Sequence, residues 1–154
     1  MDTDFDTVVV ALDPDVSDVA AERLLATAIE VAGPADATVV LAYVLSGEQF
    51  IDTAKRLGHP DASRDDIDDV LADHERLRSL AETLAAHGVA HEIRGAVGVV
   101  AEEVVAIAGD VDADRVLVAG RPRSPTGKAV FGSTAQSVIL NAPCPVTYVA
   151  ADGQ

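Results

Sequence analysis

Gly120, Gly127 and Gly132 punctuate a run that also carries Arg121, Arg123 and Lys128 and closes on the hydroxyls of Ser133 and Thr134. Glycines allow main-chain amides to approach a phosphate closely, and the free amides of a helix starting at Ser133 would favour an anion by about 0.3–1 kcal/mol. The chemistry on offer is oxyanion binding. The plainer alternative is two chain turns and a helix cap at Ser133. Upstream, Asp13 and Asp15 follow a short apolar run and supply two carboxylates.

The charge around these residues is unevenly spread. The 154-residue chain has a formal net charge of -15, yet residues 115–151 hold Arg115, Arg121, Arg123 and Lys128 and no acid. Removing those four from 11 basic residues leaves seven against 26 acids in the remainder. An anionic guest therefore belongs in the acid-free stretch. Elsewhere the negative field repels a nucleic-acid backbone, so no nucleic-acid partner is expected. Of the acids 18 are Asp, and Lys55 and Lys128 are the two lysines, a usage similar to that of proteins from salt-in halophiles.

The elements that must place these groups alternate between strand and helix. Val8 to Leu12 and Thr38 to Val44 are apolar runs without alternation, the pattern of strands buried on both faces. Between them Asp15 offers an N-cap, and Val16, Ala20, Leu24, Ala28 and Val31 recur at helical spacing up to Gly33-Pro34, which should end the helix. Ser46 to Arg64 reads as a long loop. Ile67 to Leu84 reads as one amphipathic helix ending near Gly88, followed by a strand over Val89 to Arg94. Gly98 opens a helix burying Val100, Val104, Ile107 and Ala108, Val116 to Ala119 is a fourth strand, Ser133 to Leu140 a helix and Val146 to Ala150 a fifth strand. The alternation predicts an open parallel α/β sheet with helices on both faces, Rossmann-like, as one domain over residues 1–154. Such sheets bind ligands beyond the carboxyl ends of their strands, where the winding direction reverses. Asp13 and Gly120 follow two such ends.

The Val-Val-Val-Ala-Leu-Asp13 opening, the late glycine loop, Gly132-Ser133 and the ending Ala142-Pro-Cys-Pro-Val146 together resemble the universal stress protein family over nearly the whole chain. The resemblance implies a five-stranded sheet in the order 3-2-1-4-5 and a regulatory or stress-response protein. It also implies an adenine nucleotide, ATP with or without magnesium, as ligand. Members that bind ATP carry Gly-x2-Gly-x9-Gly-(Ser/Thr) after the fourth strand. Gly120 matches the first glycine and Gly132 with Ser133 the end, whereas Arg123 stands in the second glycine's place with eight residues before Gly132. The carry-over assigns Asp13, Val44 and Ala119, with Ala11 beside them, to the ribose and base. Arg123, Gly127, Gly132, Ser133 and Thr134 fall to the phosphates. It also makes Val146, Tyr148 and Val149 candidates for a homodimer interface through the last strand. The alternative under the same fold is a dimeric interaction module that has lost the nucleotide.

Other chemistries fit less well. Gly127-Lys128 lacks the upstream glycine and following hydroxyl of a Walker loop. Asp13-Pro-Asp15 imitates the nucleophile motif of magnesium-dependent phosphatases, but the second acidic run, Asp110 to Asp114, precedes a strand instead of following one. His59, His74, His87 and His91 are expected as core or turn residues, no metal site is expected, and Cys144 has no partner for a disulfide. The acidic start and the lack of a long apolar run read as a cytoplasmic protein without a membrane span. No residue stands out as a committed general base, so an enzymatic role is left at slow hydrolysis or autophosphorylation.

Overall fold

The computed structural model describes residues 5–120 and 132–151. Strands β1 (Thr7–Leu12), β2 (Thr38–Leu45), β3 (His91–Val97), β4 (Arg115–Gly120) and β5 (Val146–Ala150) form one parallel sheet in the order β3-β2-β1-β4-β5. This is the implied order. Helices α1 (Asp18–Ala35), α2 (Gly47–Arg56), α3 (Ile67–Leu71), α4 (Glu75–Ala86), α5 (Val100–Asp110) and α6 (Ser133–Asn141) fill the crossovers.

Alternation of side chains along each strand divides the interior into two cores. Val8, Val10 and Leu12 of β1 join Leu41 and Tyr43 of β2 beneath α1 and α4, while Val9 and Ala11 join Val40, Ala42 and Val44 beneath α5 and α6. Both faces of β1 and β2 are therefore covered, which is why their sequences are apolar without a break. Each fully buried valine or leucine contributes on the order of 1.5–3 kcal/mol over an exposed one. Edge strand β3 instead alternates half-buried and exposed residues over its first part.

Local chemistry moves several expected boundaries. Ser17, not Asp15, caps α1, because its Oγ accepts the Ala20 amide at 3.1 Å, while the Asp15 amide is itself bonded to Asp13. The helix does not stop at Gly33-Pro34. A proline in the last turn forfeits only one backbone bond, so α1 runs on to Ala35 and ends where Asp36 turns left-handed at φ 55°. The stretch expected as a loop after Ser46 contains α2, whose Ser46 and Gln49 cap each other reciprocally. Phe50 and Ala54 bury its inner face.

The expected single helix from Ile67 to Leu84 is two. A short 3-10 turn at Arg64–Asp66 leads into α3, and α4 starts afresh with His74 as its N-cap, the Leu77 amide donating to His74 Nδ1 at 3.4 Å. The apolar stripe continues across the break because α3 and α4 cover the same sheet face, which concealed the interruption from periodicity. Strand β3 begins two residues later than expected, after Gly88 turns at φ 70°, and extends to Val97 through pairing with β2. Gly95 has to be glycine for packing: a Cβ there would lie 2.5 Å from Leu71 Cδ1 of α3.

The sheet winds outward from β1 to β3, then returns to the other side of β1 for β4 and β5. The reversal lies between β1 and β4, so the carboxyl ends of these two strands frame the crevice of the fold.

Candidate functional site

A cleft of about 260 Å³ opens at that reversal. Five expected residues line it: Ala11 and Asp13 from the end of β1, Ala119 and Gly120 from the end of β4, and Thr134 from the first turn of α6. Asp13 and Gly120, 107 positions apart in the chain, meet here because β1 and β4 are neighbours. Val100, at the start of α5, and Ala151, just beyond β5, also line the cleft and were not anticipated. They are small apolar residues whose sequence environment carries no chemical signal.

Asp13 is held by the turn it starts. Its Oδ1 accepts the Asp15 amide at 2.7 Å and its carbonyl accepts the Val16 amide at 3.1 Å. Burial raises its carboxyl above the ordinary value of 3.8; the bond from Asp15 opposes the rise, the nearby Asp15 charge adds to it, and Arg76 opposes it. Thus Asp13 has a fixed orientation with one oxygen committed to the turn. At the opposite wall, the Ala151 amide donates to the Gly120 carbonyl at 2.9 Å, and Arg23 Nη1 donates to the Ala150 carbonyl at 3.1 Å. These bonds fix the ends of β4 and β5 against α1.

At Thr134 the cleft borders the start of α6. Gly132 stands at its N-cap, and among the described residues no side chain there accepts a first-turn amide. Glycine offers none of the side-chain oxygens with which Ser, Thr, Asp or Asn satisfy first-turn donors. Gly132 and Ser133 are exposed next to the cleft without lining it. Val44 takes a different place: it is fully buried between the sheet and α5, paired in register with Ala96, and does not line the cleft. Arg123 and Gly127, with Arg121 and Lys128, lie outside the described residues.

Arg115 sits at the sheet's opposite edge, where its Nη1 donates to Thr147 Oγ1 at 3.0 Å and its guanidinium lies 5.6 Å from the Phe5 ring centroid. Asp114 is on that same edge. Its Oδ2 accepts the amides of Asp6 and Thr7 at 2.7 and 3.1 Å, at the start of β1. The two acidic motifs of a phosphatase are therefore at opposite ends of the sheet. The histidines take structural posts: His59 Nε2 contacts Asp73 Oδ2 at 2.7 Å, His87 Nδ1 contacts the Thr83 carbonyl and His91 Nδ1 the Val89 carbonyl. Among the described residues no group of three or more His, Cys, Asp or Glu could hold a metal ion. Burial raises the Cys144 thiol above its usual value, leaving it a poor nucleophile.

The residues expected at a dimer interface divide. Val149 is buried in the core beneath α1, Val146 is half-buried, and Tyr148 lies against Gly120 on the face covered by α5 and α6. Strand β5 pairs only with β4 among the described residues, so its other edge is open. A larger groove of about 820 Å³ separates α1 from α4, but it is walled by helix side chains such as Glu22, Leu25 and Leu80 and gathers no strand ends. The smaller cleft carries the convergent chemistry.

A doubly wound α/β sheet with its crevice at the β1–β4 reversal and a helix start beside it defines a protein of the Rossmann-like α/β class. The chain belongs to the universal stress protein family, whose family model matches residues 4–150. A universal stress protein of Mycolicibacterium smegmatis is 42% identical over 67 residues, which are 43% of this chain and 52% of that relative, so the chain spans about half the length of the curated relative it matches. Among solved structures, a universal stress protein from Archaeoglobus fulgidus is 28% identical with a TM-score of 0.68, covering 94% of this chain and 98% of its own. A universal stress protein from Archaeoglobus fulgidus in complex with dAMP is 24% identical with a TM-score of 0.66, covering 96% and 99%. At that identity the latter likeness is one of fold. No described helix is long and apolar enough to cross a membrane.

Proposed function

We propose that the protein is a cytoplasmic stress-response regulator that binds an adenine nucleotide, ATP in the first instance, at the carboxyl edge of its sheet. The observation that carries this reading is the meeting of Asp13, Gly120 and Thr134, from three separate elements, in one cleft beside the start of α6, whose N-cap is glycine. Asp13 would accept hydrogen bonds from the ribose or base. The amides at Ser133 and Thr134 would meet the phosphates, with Arg123 replacing a family glycine as a charged phosphate partner. The dAMP complex of a protein with the same fold supports an adenine nucleotide as the ligand class. Binding would act as a switch, with magnesium accompanying a triphosphate.

Calorimetric titration with ATP, ADP and AMP in molar KCl tests this. Saturable heat that Asp13→Ala removes supports it, and no saturation up to millimolar ligand overturns it. Comparing Arg123→Gly gives the sign of that residue's role: tighter ATP binding means obstruction, weaker binding means a phosphate contact.

The second reading, a dimeric module, is favoured by the unequal edges of the sheet. At β3 the Gly95 amide is taken by Asp68 of α3 at 2.9 Å, which blocks strand addition. At β5 no described residue covers the edge, and Ile139 and Leu140 are exposed on the neighbouring α6. Pairing of β5 with a second copy, through Val146, Tyr148 and the Val149 backbone, is compatible with nucleotide binding. Sedimentation in high salt showing only monomer at tens of micromolar would exclude it.

A further inference from the structure

The geometry points to Arg76 as the residue that positions the β1–α1 turn, holding Asp13 in its ligand-ready orientation from a helix that does not itself reach the cleft. This inference rests on the nucleotide reading of that cleft.

Arg76 is the second residue of α4, and its guanidinium crosses to the β1–α1 turn. Nη1 donates to the Val16 carbonyl at 2.6 Å and Nη2 to the Asp13 carbonyl at 3.3 Å. The planar fork suits this task, because two donors in fixed geometry grip two carbonyls three residues apart. The same turn is closed internally by the Val16 amide on the Asp13 carbonyl and the Asp15 amide on the Asp13 carboxylate. Consequently the Asp13 backbone is bound from both sides while one carboxylate oxygen remains uncommitted to the turn.

The arrangement costs the protein something. Arg76 Nε is buried without a hydrogen-bond partner among the described residues, so its lost hydration is not replaced by a bond there. Its one ion-pair partner among the described residues, Asp18, is 3.7 Å away with a side chain 88% exposed, too solvated to explain a guanidinium that is only 22% exposed. What the guanidinium engages is backbone, and that backbone carries Asp13. The positive charge also lies close enough to favour the ionised form of Asp13 against burial.

The break between α3 and α4 makes the reach possible. His74 starts α4 afresh, and burial of Leu77 fixes the helix rotation that sends residue 76 toward α1.

The test titrates ATP in molar KCl into wild type, Arg76→Met, Arg76→Lys and Arg78→Met, at a temperature where circular dichroism shows each folded, alongside amide hydrogen exchange. Arg78 is exposed on the same helix, so its loss matches the change in charge. Arg76→Met is expected to weaken ATP binding by roughly ten- to a hundredfold relative to Arg78→Met and to speed exchange of the Val16 amide. Arg76→Lys, which keeps the charge but not the fork, should remain weaker than wild type. Equal affinity for Arg76→Met and Arg78→Met, or full recovery by Arg76→Lys, would overturn the inference. If wild type binds no ATP, the nucleotide reading falls by itself, and the exchange data still judge the hold: unchanged Val16 exchange in Arg76→Met refutes it and faster exchange supports it. Should Arg76→Met fail to fold, Arg76→Lys alone decides.

Discussion

The ring of Tyr148 occupies the space into which a side chain at residue 120 would project. A Cβ on Gly120 would lie 2.7 Å from the Tyr148 hydroxyl oxygen and 2.8 Å from its Cε1. The first glycine of the loop is thus required by packing between β4 and β5 as well as by any ligand. Tyr148, on the neighbouring strand, is one of the residues expected at a dimer interface, so the cleft and the sheet edge share one contact.

Gly120→Ala should therefore destabilise the fold by about 1–3 kcal/mol through overpacking. The penalty should shrink when Tyr148 is also replaced by alanine, a coupling that a double-mutant cycle in urea would measure. Because the chain has no tryptophan and two tyrosines, displacement of the ring should also alter tyrosine fluorescence. An additive cycle would contradict the contact.

The start of α1 separates two similar carboxylate and hydroxyl candidates. Ser17→Ala removes the oxygen that accepts the Ala20 amide and should cost about 1 kcal/mol, whereas Asp15→Ala should stay within about 0.5 kcal/mol. Chemical denaturation of the two variants checks the order.

His74 gives stability a pH dependence with a definite sign. Burial, followed by the charges of Arg56 and Arg76, holds its imidazole below the usual 6.5, and the Leu77 amide needs an unprotonated Nδ1. The unfolded chain therefore takes up this proton first as pH falls. The contribution is fully present above 6.5 and is lost as pH drops from there through the lower folded value. Between about pH 7.5 and about pH 5.5, wild type should lose stability relative to His74→Asn, which keeps a capping side chain without the titration. Parallel unfolding curves at the two pH values would rule this out.

The excess of acids should make folding respond to salt. With a formal net charge of -15 the folded surface repels itself, and KCl shortens the reach of that repulsion to about 3 Å near 1 M. Urea midpoints should rise with KCl, most steeply at low concentration, and far more than with an uncharged osmolyte of equal osmolality. A flat response would dissociate the composition from any need for salt.

Legibility in the sequence followed the range of the forces involved. The unbroken apolar runs at Val8–Leu12 and Thr38–Val44 identified the central strands, since burial on both faces leaves no polar position to alternate. Glycine and proline were less reliable guides. Gly47 suggested a loop where Ser46 and Gln49 cap a helix, and Pro34 suggested a stop that Asp36 supplies two residues later. The reciprocal cap was present in the letters Ser-Gly-Glu-Gln, so α2 could have been found by giving that spacing precedence over Gly47.

By itself the sequence determined the alternation of strands and helices, the acid-free stretch and the resemblance to one family, because each is local or carried by residue order. The tertiary structure alone decided which residues meet. Only the placement of β4 beside β1 brings Gly120 to Asp13, and only packing in three dimensions buries Val44 away from the cleft it was expected to line. The restart of α4 at His74 likewise brings Arg76 onto a turn some sixty residues upstream. Such contacts between distant segments depend on sheet order, strand register and helix phase, and none of these leaves a periodic mark at residue 13, 44 or 76.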